Sequence, residues 1–382
     1  MAGHFVSLVS EVELHNMNVR YSYLAQQFSD ADDLWENLRG FVETGDFTLG
    51  APLQEFEQKF ADLMGAKHAI GVNSGTDAIK LALKCQGVGA GDEVITAANT
   101  FVATVGAIAE LGATPVFVDC DDTFCMNVDL VEGAITEKTK AIVPVHFTGY
   151  MTDMRKLMPI AQRHKLAVVE DACQSILGEI GGQKAGTWSK AGAFSLHPLK
   201  NLNVWSDGGV IITSDDDLAQ ALKLQRNHGL VDRDTVGVLG CNSRLDTLQA
   251  VVGNWLIPQT ESIAQRRIEN AAFYDQHLGG LPQIEIPPRP SDFKIVYHLY
   301  IVFAEDRDGL LEYCLSNGIE AKVHYPVPIY RQPALQHLGH VEGDFPVTDN
   351  HAKKIITFPC DQHLSRSEME YVIDTVSRFY SA

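Results

Sequence analysis

Three short apolar runs, Pro115-Val-Phe-Val-Asp119, Ala141-Ile-Val-Pro-Val145 and Leu166-Ala-Val-Val-Glu-Asp171, recur along the first half of the chain, each bounded by a polar or turn residue. Between and before them lie helical patterns. Asp77 to Gln86 has helical periodicity behind a Ser-Gly-Thr cap, Glu93-Val-Ile-Thr96 is a short strand, and Phe101 to Leu111 reads as a buried helix. Apolar strands alternating with helices from about Thr76 onward are what a parallel sheet covered on both faces produces. Ligands of open α/β sheets gather beyond the carboxyl ends of the strands. Asp171 stands at one such end.

The pattern changes near Leu256-Ile-Pro258. Gln259 to Leu278 reads as a long helix rich in Arg and Glu, and Pro282 to Pro290 is proline-rich and extended. Tyr297 to Phe303 is expected as a strand, Gly309 to Asn317 as a helix and Glu320 to His324 as another strand. The expected architecture is α/β: a large domain over residues 1–258 with a mostly parallel central sheet, and a smaller α+β domain over 259–382. Residues 1–16 are expected to form a flexible leader, and Met17 is open to two readings, an alternative start or the end of an extension. There is no internal repeat at solenoid periods.

At 382 residues, 45% of them apolar and 21% charged, the chain has the composition of a globular protein with a sizeable core. A formal charge of −19 argues against nucleic acid or an anionic membrane surface as partner. The longest mainly apolar stretch, 97 to 118, is interrupted by Asn99, Thr104 and Glu110, short of a membrane span. Acidic Glu11 and Glu13 and the lack of a basic start do not suit a secretory signal. Seven scattered cysteines without a C-x-x-C pair suit reduced thiols in a cytoplasm better than disulfides or a zinc site, so no metal is expected.

The chemistry gathers around Lys200. It lies after the apolar run that contains Phe194 and before the paired glycines Gly208 and Gly209. A lysine in such a loop, with a carboxylate at the end of an earlier strand, is what a protein needs to hold pyridoxal phosphate as a Schiff base. Asp171 is the carboxylate: after an apolar strand it is costly unless something positive meets it, and a protonated pyridine nitrogen would do so. Taken alone, a strand-end Asp more often caps a loop. Ser74-Gly75-Thr76 opens a helix whose free N–H groups suit a phosphate, although ordinary N-caps look the same. Ser195 is placed to reach that phosphate or to bond backbone. Phe101 is placed to cover the ring or to fill core, and Gln174 to donate to the phenolic oxygen. His197 and His324 are the most suggestive histidines, against a plainer reading as polar surface.

These residues sit within a longer series of motifs: Asn73-Ser-Gly-Thr-Asp-Ala-Ile-Lys-Leu-Ala-Leu83, Gly91-Asp-Glu-Val-Ile95, Thr100-Phe-Val-Ala-Thr104, Gly112-Ala-Thr-Pro-Val-Phe-Val-Asp119, Pro144-Val-His-Phe-Thr-Gly149, Glu170-Asp-Ala-Cys-Gln174, Phe194-Ser-Leu-His-Pro-Leu-Lys-Asn201 and His324-Tyr-Pro326. In that order and over nearly the whole chain they resemble the DegT/StrS family of pyridoxal-phosphate sugar aminotransferases, of the aspartate-aminotransferase-like type I fold. The resemblance implies Lys200 as the Schiff-base lysine, Asp171 at the ring nitrogen, Gln174 at the phenolic oxygen, Phe101 over the ring, and Gly75, Thr76 and Ser195 at the phosphate. It also implies that Asn242 reaches the phosphate of a neighbouring subunit, hence a homodimer with shared sites. Relatives with histidine in place of the lysine dehydrate their sugar; Lys200 favours transamination.

By the same resemblance the amino donor is L-glutamate and the acceptor a keto-sugar. The His-Pro-Leu-Lys-Asn-Leu-Asn-Val-Trp run resembles the branch that aminates 8-oxo-3-deoxy-manno-octulosonate for lipopolysaccharide; a nucleotide-linked 3-keto or 4-keto hexose is the alternative. A free sugar acid needs a cation, for which Arg226, Arg244 and Arg331 are candidates, each also readable as an ion pair or dimer contact. His197, His324 and Tyr325 are further substrate-side candidates. The segment Trp205-Ser-Asp-Gly-Gly209 departs from the family's Gly-Glu-Gly-Gly and, with bulky Asn203-Val-Trp205, is expected near the substrate mouth. A non-catalytic pyridoxal-phosphate-binding regulator and an amino-sugar dehydratase stay open as other classes.

Overall fold

A computed structural model describes residues 17–381; the expected leader, 1–16, lies outside the described residues. Seven strands make the central sheet: β1 (His68–Val72), β2 (Glu93–Ala97), β3 (Thr114–Val118), β4 (Thr139–Val143), β5 (Ala167–Asp171), β6 (Ala191–Ser195) and β7 (Gly209–Thr213). Their order is β1-β7-β6-β5-β4-β2-β3. Pairing is parallel from β6 through β5, β4 and β2 to β3, and β7 alone runs against both its neighbours. The sheet is therefore mostly parallel, as the apolar runs predict.

Each strand buries both faces because successive side chains point to opposite sides. In β7, Val210 and Ile212 join one apolar cluster with Phe56, Phe60 and Phe194, while Ile211 joins the cluster on the other face with Ile79, Leu83 and Ala193. The covering helices are α1 (Asp32–Thr44), α2 (Ala51–Met64), α3 (Gly75–Cys85), α4 (Val102–Ala109), α5 (Met154–His164), α6 (Asp216–Gln225) and α7 (Thr247–Leu256). Helix α3 turns Ala78, Ile79, Ala82 and Leu83 inward, and its N-terminus points to the edge where β1, β5 and β6 end. The registers Val72↔Gly209 and Ser195↔Gly209 bring the start of β7 to that same edge.

The C-terminal part has a second core. Strands β8 (Ile284–Glu285), β9 (Tyr300–Ala304) and β10 (Ile355–Phe358) pair antiparallel, with α8 (Thr260–Leu278), α9 (Arg307–Ser316), α10 (Pro346–Lys354) and α11 (Arg366–Ser381) around them. Val19 and Tyr23 pack into this core, so it draws on residues from both ends of the described chain. Asp119, just past β3, caps α10: its carboxylate accepts from Val347 N at 2.8 Å, Thr348 N at 2.8 Å and Thr348 Oγ1 at 2.7 Å.

Two expected strands differ in the structure, both where the chain passes the cavity described below. The run from Tyr297 enters the sheet only at Tyr300: Tyr297 has φ 45°, and Val296 and Leu299 donate to the carbonyls of Gly149 and Thr148. Glu320 to His324 is not a strand. Only Lys322 exchanges bonds with Thr357, at 3.0 and 2.8 Å. Among the described residues no helix is long and apolar enough to cross a membrane, and no group of acidic, His and Cys side chains is placed to hold a metal ion.

Candidate active site

The loop between β6 and β7 carries Lys200, and polar side chains brace it from within. Lys200 N donates to His197 O at 2.8 Å, Asn203 Nδ2 to Lys200 O at 3.0 Å and Asn201 Nδ2 to Val296 O at 2.9 Å. Gln27 Nε2 holds Asn203 Oδ1 at 3.1 Å. Asn201 and Asn203 are buried, so the Lys-Asn-Leu-Asn spacing serves to satisfy loop backbone that water does not reach.

Lys200 opens into a cavity of about 360 Å³ at the carboxyl edge of the sheet. Of the residues expected at the site, Gly75, Thr76, Phe101, Asp171, Gln174, Ser195, His197, Lys200, His324 and Tyr325 all line it. A larger, open groove of about 940 Å³ lies at the opposite edge, beside Ala167, Lys190 and Asp215, and holds none of them.

Consecutive carboxylates at the end of β5 have opposite fates. Glu170, fully buried, is saturated by His146 Nε2 at 3.0 Å, the backbone N–H groups of Gly186, Trp188 and Ser189 at 2.7, 2.9 and 2.8 Å, and Ser189 Oγ at 2.9 Å. Asp171 turns to the cavity side. It is 5% exposed and, among the described residues, accepts only from Thr104 Oγ1 at 2.8 Å and Cys173 N at 3.2 Å, which leaves lone pairs for a further donor. Gln174 Oε1 accepts from Thr148 N at 2.7 Å, and that bond leaves its amide N–H groups as donors.

Ser74 caps α3, its Oγ accepting from Asp77 N at 3.1 Å. Gly75 and Thr76 follow in the first turn, where backbone N–H groups have no intrahelical acceptor. A side chain at Gly75 would meet Ser195 Cβ at 2.8 Å and Cys173 Sγ at 2.9 Å, so glycine is what lets the helix start approach β6. Phe101 is 46% exposed and stacks on Tyr325 with centroids 5.6 Å apart. His324, joined to Tyr325 by a cis peptide bond, lies 2.9 Å from Thr357 Oγ1 through Nδ1.

Burial dominates the electrostatics. It pushes the Lys200 ammonium below the usual lysine range, with Cys173 and Asp171 opposing the shift. Burial and then the charge of Lys200 lower His197, and burial lowers His324 to about 4. His298 is held well below the ordinary histidine value by burial, then by Lys200 and Arg267. The arrangement is a buried amine beside a carboxylate with spare lone pairs and a helix N-terminus. It fits pyridoxal phosphate: an amine for the aldehyde, an acceptor for the ring nitrogen and N–H donors for the phosphate.

Other expected residues lie outside this cavity or turn away from it. Arg226 is 7% exposed, ion-paired with Glu57 and bonded to Gly71 O at 2.8 Å, away from the cavity. Arg331 pairs with Glu342 at 3.3 Å and Arg244 bonds Asn227 Oδ1 at 3.0 Å; neither lines the cavity. Trp205 packs against Phe28 and Trp35 instead of the mouth, whereas Asp207 of the same segment does line it. Asn242 is exposed and outside the cavity of its own chain. Sequence reasoning missed Tyr21, Cys173, His298 and Lys322, all of which line the cavity. For His298 there was a signal, one imidazole inside the apolar and aromatic run Ile295-Val-Tyr-His-Leu-Tyr-Ile-Val-Phe303.

Comparison with known proteins bears directly on this geometry. The model of the DegT/DnrJ/EryC1/StrS aminotransferase family matches residues 29–377. The chain is 39% identical over 368 residues to the pleiotropic regulatory protein of Geobacillus stearothermophilus, covering 95% of this chain and 99% of the relative. It is 38% identical over 358 residues to the dTDP-3-amino-3,4,6-trideoxy-alpha-D-glucose transaminase of Streptomyces venezuelae, covering 91% and 94%. A UDP-N-acetyl-3-dehydro-alpha-D-glucosamine 3-aminotransferase of Acidithiobacillus ferrooxidans is 36% identical over 348 residues, covering 91% and 94%. Among solved structures, S. venezuelae DesV in complex with a ketimine intermediate superposes with a TM-score of 0.94 at 36% identity, covering 96% of this chain and all of that one. NtdA of Bacillus subtilis, solved with bound cofactor PMP, has a TM-score of 0.88 at 28% identity, covering 100% and 90%. The protein is thus a pyridoxal-phosphate-dependent aminotransferase and belongs to the DegT/DnrJ/EryC1/StrS aminotransferase family.

Proposed function

We propose that the protein moves the amino group of L-glutamate to the carbonyl of a nucleotide-linked keto-hexose, with Lys200 as the residue that carries the cofactor and then the proton. The observation behind this reading is the buried Lys200 amine sharing one cavity with Asp171 and the first turn of α3. Bound pyridoxal phosphate supplies an aldehyde for amines and a cationic ring that draws electrons from a substrate carbon. Asp171 is assigned to the ring nitrogen, Gln174 to the phenolic oxygen, Phe101 to the ring face, and Gly75, Thr76 and Ser195 to the phosphate.

Once released, the Lys200 amine takes a proton from the substrate carbon and returns it on the other side of the transfer. Burial favours its uncharged form, which such a base requires, and its tether makes the proton transfer intramolecular. Glutamate leaves as the oxo acid and the sugar as the amine, with no external oxidant or reductant.

For the acceptor, the Streptomyces and Acidithiobacillus relatives are named for dTDP- and UDP-linked sugars aminated at carbon 3, which supports a nucleotide-linked 3-keto hexose. The free octulosonate has less support, since none of the three arginines considered for its carboxylate lines the cavity. The homodimer belongs to the proposal too: exposed Asn242, outside its own chain's cavity, is assigned to a neighbour's phosphate. Seven free cysteines accord with a cytoplasmic setting.

The test is nitrogen-labelled glutamate offered with UDP- and dTDP-linked keto-hexoses and with 8-oxo-3-deoxy-manno-octulosonate, products being weighed by mass spectrometry. Label in a nucleotide-linked sugar is the expected result; label only in the octulosonate overturns the acceptor. The name of the Geobacillus relative motivates a second reading, a protein that binds the cofactor and regulates. Under that reading the visible absorbance persists when glutamate is added, whereas under ours it bleaches.

A further inference from the structure

His298 meets the lysine from the C-terminal side of the cavity. Its Nε2 lies 3.4 Å from Lys200 Nζ, while its Nδ1 is buried with no hydrogen-bond partner among the described residues. The segment that carries it leaves strand geometry to do so: Tyr297 sits at φ 45°, and the flanking Val296 and Leu299 are pinned to Gly149 and Thr148. Arg267 also grips this turn, Nη1 donating to the carbonyls of Tyr297 and His298 at 3.3 and 3.4 Å, and is itself paired with Asp361. A backbone bonded on so many sides gives the imidazole little freedom to retreat from the lysine.

We propose that His298 is a positioning residue for Lys200, accepting a hydrogen bond from the lysine amine and holding it in the cavity whenever it is not bonded to the cofactor. This inference rests on the assignment of Lys200 made above and extends it to the state in which the lysine must wait. An imidazole that accepts at Nε2 carries its proton on Nδ1, and Nδ1 is the nitrogen turned into the protein. His298 lines a second, small cavity of about 10 Å³ together with Arg267 and Asp361, which is roughly the room one water needs. Burial first, then the lysine and the nearby guanidinium, disfavour a charged imidazole, which accords with the acceptor role. The other titratable groups facing the pair are Asp171, Cys173, His197, His324 and Arg267.

An acceptor bonded to the ammonium stabilises its charged form, so removing the acceptor lowers the pH at which Lys200 deprotonates. The experiment uses cofactor-free full-length protein, reductively methylated with formaldehyde and cyanoborohydride over a pH series, with the Lys200 peptide quantified by mass spectrometry. In His298→Phe, which keeps a ring of similar size, the half-point of modification should fall by at least about half a pH unit, and His298→Gln, with an amide oxygen as acceptor, should recover part of it. In the loaded enzyme, bleaching by saturating glutamate should slow about tenfold or more in His298→Phe, a loss in kcat with little change in the donor's KM. An unchanged modification profile together with a wild-type bleaching rate overturns the proposal. Lys200→Ala separates the two readings: if borohydride still fixes the cofactor covalently to that variant, the assignment of Lys200 fails; if it does not while His298→Phe behaves as wild type, only the role of His298 fails.

Discussion

Gly75→Ala isolates the approach of α3 to β6 from every other feature of the site. The added Cβ would stand 2.8 Å from Ser195 Cβ, 2.9 Å from Cys173 Sγ and 3.2 Å from Ser195 Cα. Carbon pairs rest at about 3.5–4.0 Å, so helix and strand must part by close to 1 Å. The obstruction includes backbone and the Cβ of a short side chain, and no rotamer change relieves it. Overpacking of this kind costs about 1–3 kcal/mol of stability. The same retreat draws the leading N–H groups of α3 away from Ser195, and weakening one hydrogen bond to a charged group costs roughly 1.5–3 kcal/mol. That corresponds to a loss of cofactor affinity of about 10–100-fold. The assay is a titration of cofactor-free protein with pyridoxal phosphate, followed by visible absorbance, beside a urea unfolding curve. Gly106→Ala in α4 is the control: nothing lies within 4 Å of its added Cβ, so binding should be unchanged and stability should rise by about 0.5–1 kcal/mol. Cofactor affinity in Gly75→Ala within about twofold of wild type would refute the reasoning, because the phosphate would then not depend on that close approach.

Glu170→Ala strands three backbone N–H groups and the ring N–H partner His146 that now share one carboxylate, and at about 1–3 kcal/mol for each unsatisfied buried donor should cost roughly 3 kcal/mol or more in urea unfolding while Lys200 itself stays in place. The pH dependence of stability follows from His351, which burial lowers from 6.5 to about 4. The unfolded chain binds the proton first, so the stabilisation is whole above pH 6.5 and is lost as pH falls toward 4, at about 1.4 kcal/mol per unit from this group. His351→Leu should therefore lose less stability between pH 7 and pH 5 than the wild type, read from urea midpoints; parallel losses would count against the assignment.

The alternation of buried strands and helices was legible because it is a local pattern: a strand covered on both faces must be apolar throughout, and Val94-Ile95, Ile142-Val143 and Val169 show it residue by residue. Lys200, Asp171, Gly75 and Ser195 were legible for a related reason. In a parallel sheet the strand ends fall on one edge, so residues far apart in the chain that each end a strand or begin a helix are brought together by the topology itself. The chain alone could not say which way a long polar side chain would turn. Arg226 reads equally as a substrate cation or as half of an ion pair, and Glu57, from a helix in a different part of the chain, decides it. Glu170 and Asp171 are neighbours of one chemical type, and only the loop around Gly186 to Ser189 decides that the first is saturated and the second keeps its lone pairs for the cavity. The stretch Tyr297 to Leu299 has strand composition, and it is the carbonyls of Thr148 and Gly149 that pull its backbone out of the sheet and bring His298 to the lysine. Periodicity and strand ends are properties of a segment and survive in the order of residues; hydrogen-bond partners drawn from distant segments exist only once the chain has closed around them.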